Sequence, residues 1–316
     1  MKIIIAGAGS IGTRHFKNLL ELGYKDLAVI DVVRNSLSNI LKIKKVPVYR
    51  DFDVALEKVC PDVVFICTGT GSHVSLLKKS LLFGADVFVE KPISNNLTEL
   101  SSVAKIANEK KKIVMVGCNY LFHEGIRKLS SILKSNIYGK PVFYRVAIGY
   151  YLPSARSGEN YKKIYAANKN EGGVLLDSGS HAVNYLCSFF GPVKKNFSFK
   201  ENQDITHIQS EEIAYMFLKH ISGVSGNVTL DYISKKPIHL IEITTEKGII
   251  ALDIQEDSLF YFSEKENPKC LYKGKKDQNK MFIEELRHFF SAVKKRTKPI
   301  QDARDGFEIL KTLINS

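Results

Sequence analysis

Two hydrophobic rhythms alternate along the first 120 residues. Short unbroken apolar runs at 3–6, 27–31, 63–67, 87–90 and 113–117 are rich in Ile, Val and Phe and too brief for helices, so they predict buried strands. Between them apolar residues recur at helical spacing over 11–22, 35–41, 53–59, 72–83 and 97–108. Strands apolar throughout, separated by amphipathic helices, predict a parallel sheet covered on both faces. After residue 120 the rhythm changes. A helix is predicted over 124–133 and a strand over 142–148, followed by a polar, tyrosine-rich stretch and a second helix over 175–190. Extended runs at 213–219, 223–230, 239–245, 248–253 and 259–262 then follow at turn-length gaps, which predicts an antiparallel sheet. Helices over 280–294 and 303–314 close the chain. The expected fold class is α/β, with a parallel-sheet domain over 1–120 and a second α/β domain over 121–316.

Composition narrows this picture only in places. The 316 residues suit two domains. The net charge of +13 raises the question of nucleic acid, but the lysines are dispersed over element ends and loops, with no helix-turn-helix, finger or basic zipper to gather them. The expectation is a solvated surface whose field favours a small anionic ligand. No apolar run approaches about 18 residues, so no membrane helix is expected. The first apolar run stops at a glycine turn, unlike a signal peptide, and a cytoplasmic location follows. Five cysteines with no C-x-x-C pair point to reduced thiols rather than a disulfide framework, and no metal site is expected.

The candidate chemistry gathers at strand ends, where parallel sheets bind ligands. The first run enters Gly7-Ala8-Gly9-Ser10-Ile11-Gly12, with the spacing G-x-G-x-x-G. Gly7 permits the tight turn, Gly9 the approach of a pyrophosphate, and Gly12 the packing of helix on strand, while the N–H groups around Ser10 and Ile11 face the phosphates. The second run ends on Asp31, about 20 residues further on, where a ribose-binding carboxylate belongs. Later runs end in Thr68-Gly69-Thr70-Gly71-Ser72-His73, in Glu90-Lys91-Pro92, and in Gly117-Cys118-Asn119-Tyr120. Ser72 suits a helix cap, and His73 either touches a cofactor or sits in the helix's first turn. Lys91 at this edge reaches a cofactor's reactive end. In the second domain Gly172-Gly173 precede a helix carrying Asp177 and His181 at i, i+4, a carboxylate and an imidazole on one helix face, suited to proton transfer near neutral pH.

In this order, G-A-G-S-I-G, Asp31, T-G-T-G-S-H, E-K-P, G-C-N-Y and G-G-V-L-L-D-S-G-S-H, the sequence resembles the glucose–fructose oxidoreductase / inositol dehydrogenase (Gfo/Idh/MocA) family over nearly its whole length. The resemblance implies an N-terminal Rossmann domain and a C-terminal α/β domain with an open, mainly antiparallel sheet that often mediates oligomers, here a homodimer or homotetramer. It implies Lys91, Asp177 and His181 as catalytic residues oxidising a secondary alcohol of a sugar, cyclitol or nucleotide sugar. It also implies that Thr68, Gly69, His73, Glu90, Lys91 and Asn119 contact the cofactor beside the glycine turn. Tyr120 matches the family's position in the cleft. Tyr151, Arg156 and Tyr165, from the tyrosine-rich stretch, are expected to contact substrate. One departure stands at Asn184, where many relatives carry an aspartate. Asp31 favours NAD over NADP because a carboxylate repels a 2′-phosphate, although Arg34 lies close enough in sequence to receive one. Two alternatives share the fold: a glycoside hydrolase that retains NAD, and a non-catalytic regulator that senses sugar or NAD.

Overall fold

The computed structural model describes residues 1–155 and 160–314. The chain folds as two compact units, 1–118 with 282–307, and 119–281 with the residues from 308 onward.

In the first unit, strands β1 (Ile3–Ala6), β2 (Leu27–Ile30), β3 (Val48–Tyr49), β4 (Val63–Ile66), β5 (Asp86–Val89) and β6 (Val114–Val116) form one parallel sheet in the order β3-β2-β1-β4-β5-β6. Every residue of β1, β2, β4, β5 and β6 is buried, as the unbroken apolar runs require. Helices α1 (Ser10–Glu21), α2 (Arg34–Ile43), α3 (Phe52–Val59), α4 (His73–Phe83) and α5 (Leu100–Glu109) connect them. The strand order reverses beside β1, which puts a ligand crevice at the carboxyl ends of β1 and β4.

Residues 282–307 belong to this unit, although hydrophobic rhythm placed them in a domain running over 121–316. Phe289 packs edge-on against Phe65 and Phe88 and is fully buried, worth about 2–3 kcal/mol of transfer free energy. Arg296 Nη1 donates to both carboxylate oxygens of buried Asp86, at 2.7 and 2.8 Å. The Val116 N–H donates to the Gln301 carbonyl, so the β6 edge is partly closed by this segment.

The second unit contains α6 (Glu124–Ser135), β7 (Pro141–Gly149), α7 (Leu152–Ala155), α8 (Val174–Phe190), β8 (Val193–Glu201), β9 (Ile213–His220), β10 (Ser225–Asp231), β11 (Ile238–Thr245), β12 (Gly248–Asp253), β13 (Ser258–Phe262) and β14 (Lys269–Lys273). Its eight-stranded sheet runs β14-β13-β12-β11-β7-β10-β9-β8, antiparallel except for the β7–β10 pair. The strands alternate. Val228 and Leu230 of β10, like Ala214, Met216 and Leu218 of β9, are buried on the face that carries α8, while Phe197, Phe199 and Phe217 remain exposed on β8 and β9. Helices α9 (Gln278–Lys295) and α10 (Ala303–Ile314) complete the chain, and each contributes residues to both units. Strands β3, β8 and β14 were not foreseen: β3 is two residues long, and β8 and β14 are edge strands of mixed polarity.

Candidate functional site

In the first unit the site begins at the glycine turn. Gly7 has φ of +96°, and a Cβ there would press the Cys67 carbonyl oxygen at 2.5 Å. Gly9 is different. Its φ of −67° suits any residue, and a Cβ built on it meets no protein atom within 4 Å. Nothing among the described residues accounts for a missing side chain at the N-cap of α1, whose first turn has neither a side-chain cap nor an acidic residue. A pyrophosphate lying against the backbone N–H groups does account for it. Asp31 is tied to the same turn, Oδ2 accepting from Ala8 N–H at 2.6 Å and Oδ1 from Val33 N–H at 2.8 Å. Each carboxylate oxygen keeps a lone pair for a ribose hydroxyl. Gly7, Gly9, Ser10, Ile11, Gly12 and Asp31 thus fit the adenosine and pyrophosphate parts of NAD.

At the next strand ends the fold uses some predicted contacts itself. Thr68 Oγ1 lies 2.6 Å from Ser72 Oγ, which donates to the Gly69 carbonyl at 2.9 Å, so Ser72 braces its own turn and does not cap α4. His73, expected either to touch the cofactor or to begin the helix, is 1 % exposed. Its Nδ1 lies 2.9 Å from the Pro92 carbonyl and its Nε2 3.1 Å from the Thr68 carbonyl. Burial pushes its pKa down against the two carbonyl contacts, which push it up, so both ring nitrogens face the fold's own strand-end loops. The Lys91–Pro92 peptide is cis. Glu90 receives the His15 Nε2–H at 2.7 Å and the Lys91 N–H at 3.3 Å. Burial acts to raise its pKa, yet the His15 hydrogen bond and the nearby positive charge together hold it below the usual carboxylate value.

In the second unit the site is built on α8. Gly173 at its N-cap has φ of +103°, and Glu211, from the β8–β9 connection, accepts the Leu175 N–H at 3.1 Å. The helix start is therefore held by a carboxylate distant in sequence, whose pKa burial pushes up. Asp177 is 7 % exposed and accepts three phenols: Tyr150 O–H at 2.9 Å and Tyr232 O–H at 3.1 Å on Oδ2, and Tyr165 O–H on Oδ1. Four residues on, half-buried His181 meets the Tyr120 ring edge-on at 4.8 Å between centroids. The same ring meets His239 at 4.9 Å, and burial, followed by the charge of His123, pushes the His239 pKa down to about 3. Asn119 is buried, with its amide 3.5 Å from Met281 Sδ, and Lys235 Nζ sits 3.0 Å above the Tyr151 ring centre. Asn184 is buried on α8. Arg156 lies outside the described residues.

Tyr165 therefore enters the site as a support for Asp177. Tyr150 and Tyr232 join it there, and His15 supports Glu90. Tyr150 opens the tyrosine-rich stretch expected to contact substrate, whereas Tyr232 and His15 carried no motif that assigned a role, and only the placing of His15 one helical turn after Gly12 could have drawn attention to it.

Among curated proteins, the chain is 25% identical to the myo-inositol 2-dehydrogenase of Thermotoga maritima, over 97% of this chain and 92% of that one. Among solved structures it superposes on an Agrobacterium radiobacter oxidoreductase in complex with NAD+, L-tartaric acid and magnesium, with TM-score 0.86 and 17% identity, covering 99% and 94% of the two chains. It also superposes on the UDP-N-acetylglucosamine 3-dehydrogenase of Acidithiobacillus ferrooxidans, with TM-score 0.81 and 16% identity, covering 100% and 96%. These likenesses carry the fold. The NAD-binding Rossmann domain of an oxidoreductase family matches residues 1–118, and that family's C-terminal domain matches residues 126–251. With both domains matched in order over most of its length, the chain belongs to the GFO/IDH/MocA oxidoreductase family.

Proposed function

We propose that this protein is an NAD-dependent dehydrogenase that oxidises a secondary alcohol of a sugar, cyclitol or nucleotide sugar. The observation that carries the reading is that a chain of this family keeps lysine, aspartate and histidine at all three expected positions, with Asp177 held by three phenols one turn before a half-buried His181. When bound, NAD supplies the acceptor for the hydride.

The chain's own residues do the rest. The glycine turn and the first N–H groups of α1 hold the pyrophosphate, and Asp31 takes the adenosine ribose. Its carboxylate meets a 2′-phosphate as a like charge, which favours NAD over NADP. Lys91 donates to the reacting oxygen and stabilises negative charge as it develops. His181 takes the hydroxyl proton. Tyr120 holds the His181 ring edge-on, and Asp177, itself held by Tyr150, Tyr165 and Tyr232, gives the helix face a fixed anion. Asn119 supports the cofactor side and Tyr151 the substrate side.

The named activities of relatives support the substrate class, an inositol dehydrogenase and a UDP-sugar 3-dehydrogenase among them. The exposed Phe197, Phe199 and Phe217 suit a homodimer or homotetramer formed through the open sheet. Five free cysteines suit the cytoplasm. Among the described residues no helix is long and apolar enough to cross a membrane.

The test is NADH formation across a panel of inositols, aldoses and nucleotide sugars, with Lys91→Ala and His181→Ala as controls. Turnover of one member that both variants abolish is expected. Equal kcat/KM with NADP, or undiminished turnover by Lys91→Ala, would overturn the reading.

A further inference from the structure

Beneath the Lys91 turn the first unit buries a second carboxyl group that the proposed reaction does not use. Glu285 of α9 is 1 % exposed. Its Oε1 accepts the Cys118 N–H just past β6, and its Oε2 is buried with no hydrogen-bond partner among the described residues. At the neighbouring residue, Gly117, a Cβ would lie 3.2 Å from Phe88 Cζ and 3.3 Å from both carboxylate oxygens of Glu90, a tight fit. The backbone just past β6 thus passes close to both carboxyl groups, which interact with each other. Glu90 has its partners, His15 Nε2 and the Lys91 N–H, and lies next to the lysine itself. Glu285 has one N–H and an orphaned oxygen. Two buried anions this close are costly, so one of the pair keeps a proton, and the better-solvated member gives it up.

The geometry points to Glu285 as a positioning residue that works as an uncharged carboxylic acid, holding the end of β6 through the Cys118 N–H while the charge of the carboxyl pair stays on Glu90, next to Lys91. This rests on the reading of Lys91 as catalytic. Burial, and then the negative charge of Glu90, push the Glu285 pKa well above the usual range, in agreement with the geometry. Among the described residues, the titratable groups that interact with the pair are His15 from α1, Cys67 after β4, His73 from α4, Lys91 after Glu90 and Cys118 after β6, with Asp305 from α10 acting on Cys118. Both thiols are pushed up by burial and then by the two glutamates, so neither adds a charge near neutral pH. Lys91 supplies the positive charge. A neutral acid at Glu285 leaves Glu90 as the one anion of the pair.

Isotope-edited infrared spectroscopy on the full-length protein at neutral pH tests the assignment without any coenzyme. The wild type is expected to show a protonated-carboxyl stretch that Glu285→Gln removes. Linkage gives a second readout: a carboxyl whose folded pKa is raised loses stability as pH rises above its unfolded value of about 4.3. The Tm of Glu285→Gln is therefore expected to gain on that of the wild type as pH rises from about 4 to 8. In turnover, Glu285→Ala is expected to lower kcat on the order of tenfold to a hundredfold through misplacement of the Lys91 turn, and Glu285→Gln, a neutral isostere, to restore most of it. Absence of the stretch, a Tm difference that is flat with pH, or a Gln variant as impaired as Ala would overturn the proposal. Should Lys91→Ala keep its activity, the catalytic reading falls, and the spectrum still decides the charge state of Glu285.

Discussion

Glu90 and Asp177 are both shielded carboxylates beside a proposed catalytic residue, and different kinds of side chain donate to them. Glu90 is held by an imidazole N–H and a backbone N–H and precedes Lys91 in the chain, and these partners lower its pKa against burial. Asp177 accepts hydrogen bonds from three phenols. Burial keeps the Tyr232 phenol protonated, its pKa raised first by desolvation and then by Asp177 itself. The contrast fits two different tasks. In the proposed reaction Lys91 donates to the reacting oxygen and His181 takes the hydroxyl proton.

Four substitutions would break or sharpen this contrast. The largest effect is expected from Lys91→Ala, which removes the charge that Glu90 accompanies: kcat should fall by about two to three orders of magnitude, measured as NADH absorbance at saturating substrate. Asp177→Asn keeps the shape but faces an amide N–H₂ towards phenol O–H groups. Chemical denaturation should show a loss of about 1–3 kcal/mol, and turnover should fall at the same time. His15→Phe should cost about 1–2 kcal/mol at neutral pH. Because Glu90 titrates below its unfolded value, the stabilisation it draws from His15 is present above about pH 4.3 and is lost on acidification, so the gap between variant and wild type should narrow as pH falls below 4. The smallest effect is expected from Tyr232→Phe, one phenol of three, at about 1 kcal/mol with kcat nearly unchanged in its pH dependence. A shift of the kinetic pKa by Tyr232→Phe comparable to that of Asp177→Asn would show that the phenols carry protons rather than merely hold an anion.

What was legible in the sequence was local. The β-branched run 3–6, the glycine spacing after it and Asp31 at the end of the second run need only neighbouring residues to be recognised, and the family resemblance found Lys91, Asp177 and His181 at their strand end and helix. What the sequence hid was pairing at a distance. His15 meets Glu90 across 75 positions, Tyr232 meets Asp177 across 55, and Glu285 meets Cys118 across 167. No periodicity encodes such pairings, because each depends on which strand ends the sheet order brings side by side. His73 illustrates the same limit. Its position at a binding edge was readable, but both of its ring nitrogens face carbonyl oxygens of the fold.

The partly closed edge of β6 has a consequence for how the chain is made. The residue whose carbonyl receives the Val116 N–H is Gln301, so a ribosome that has completed all six parallel strands has still to deliver the segment that caps them. Until then the nascent sheet presents an unprotected strand and the bare Phe65–Phe88 surface, a state that invites association between chains. A chain cut after the sixth strand would retain that liability permanently, and a shortened version of this unit should be built by splicing 282–307 onto it.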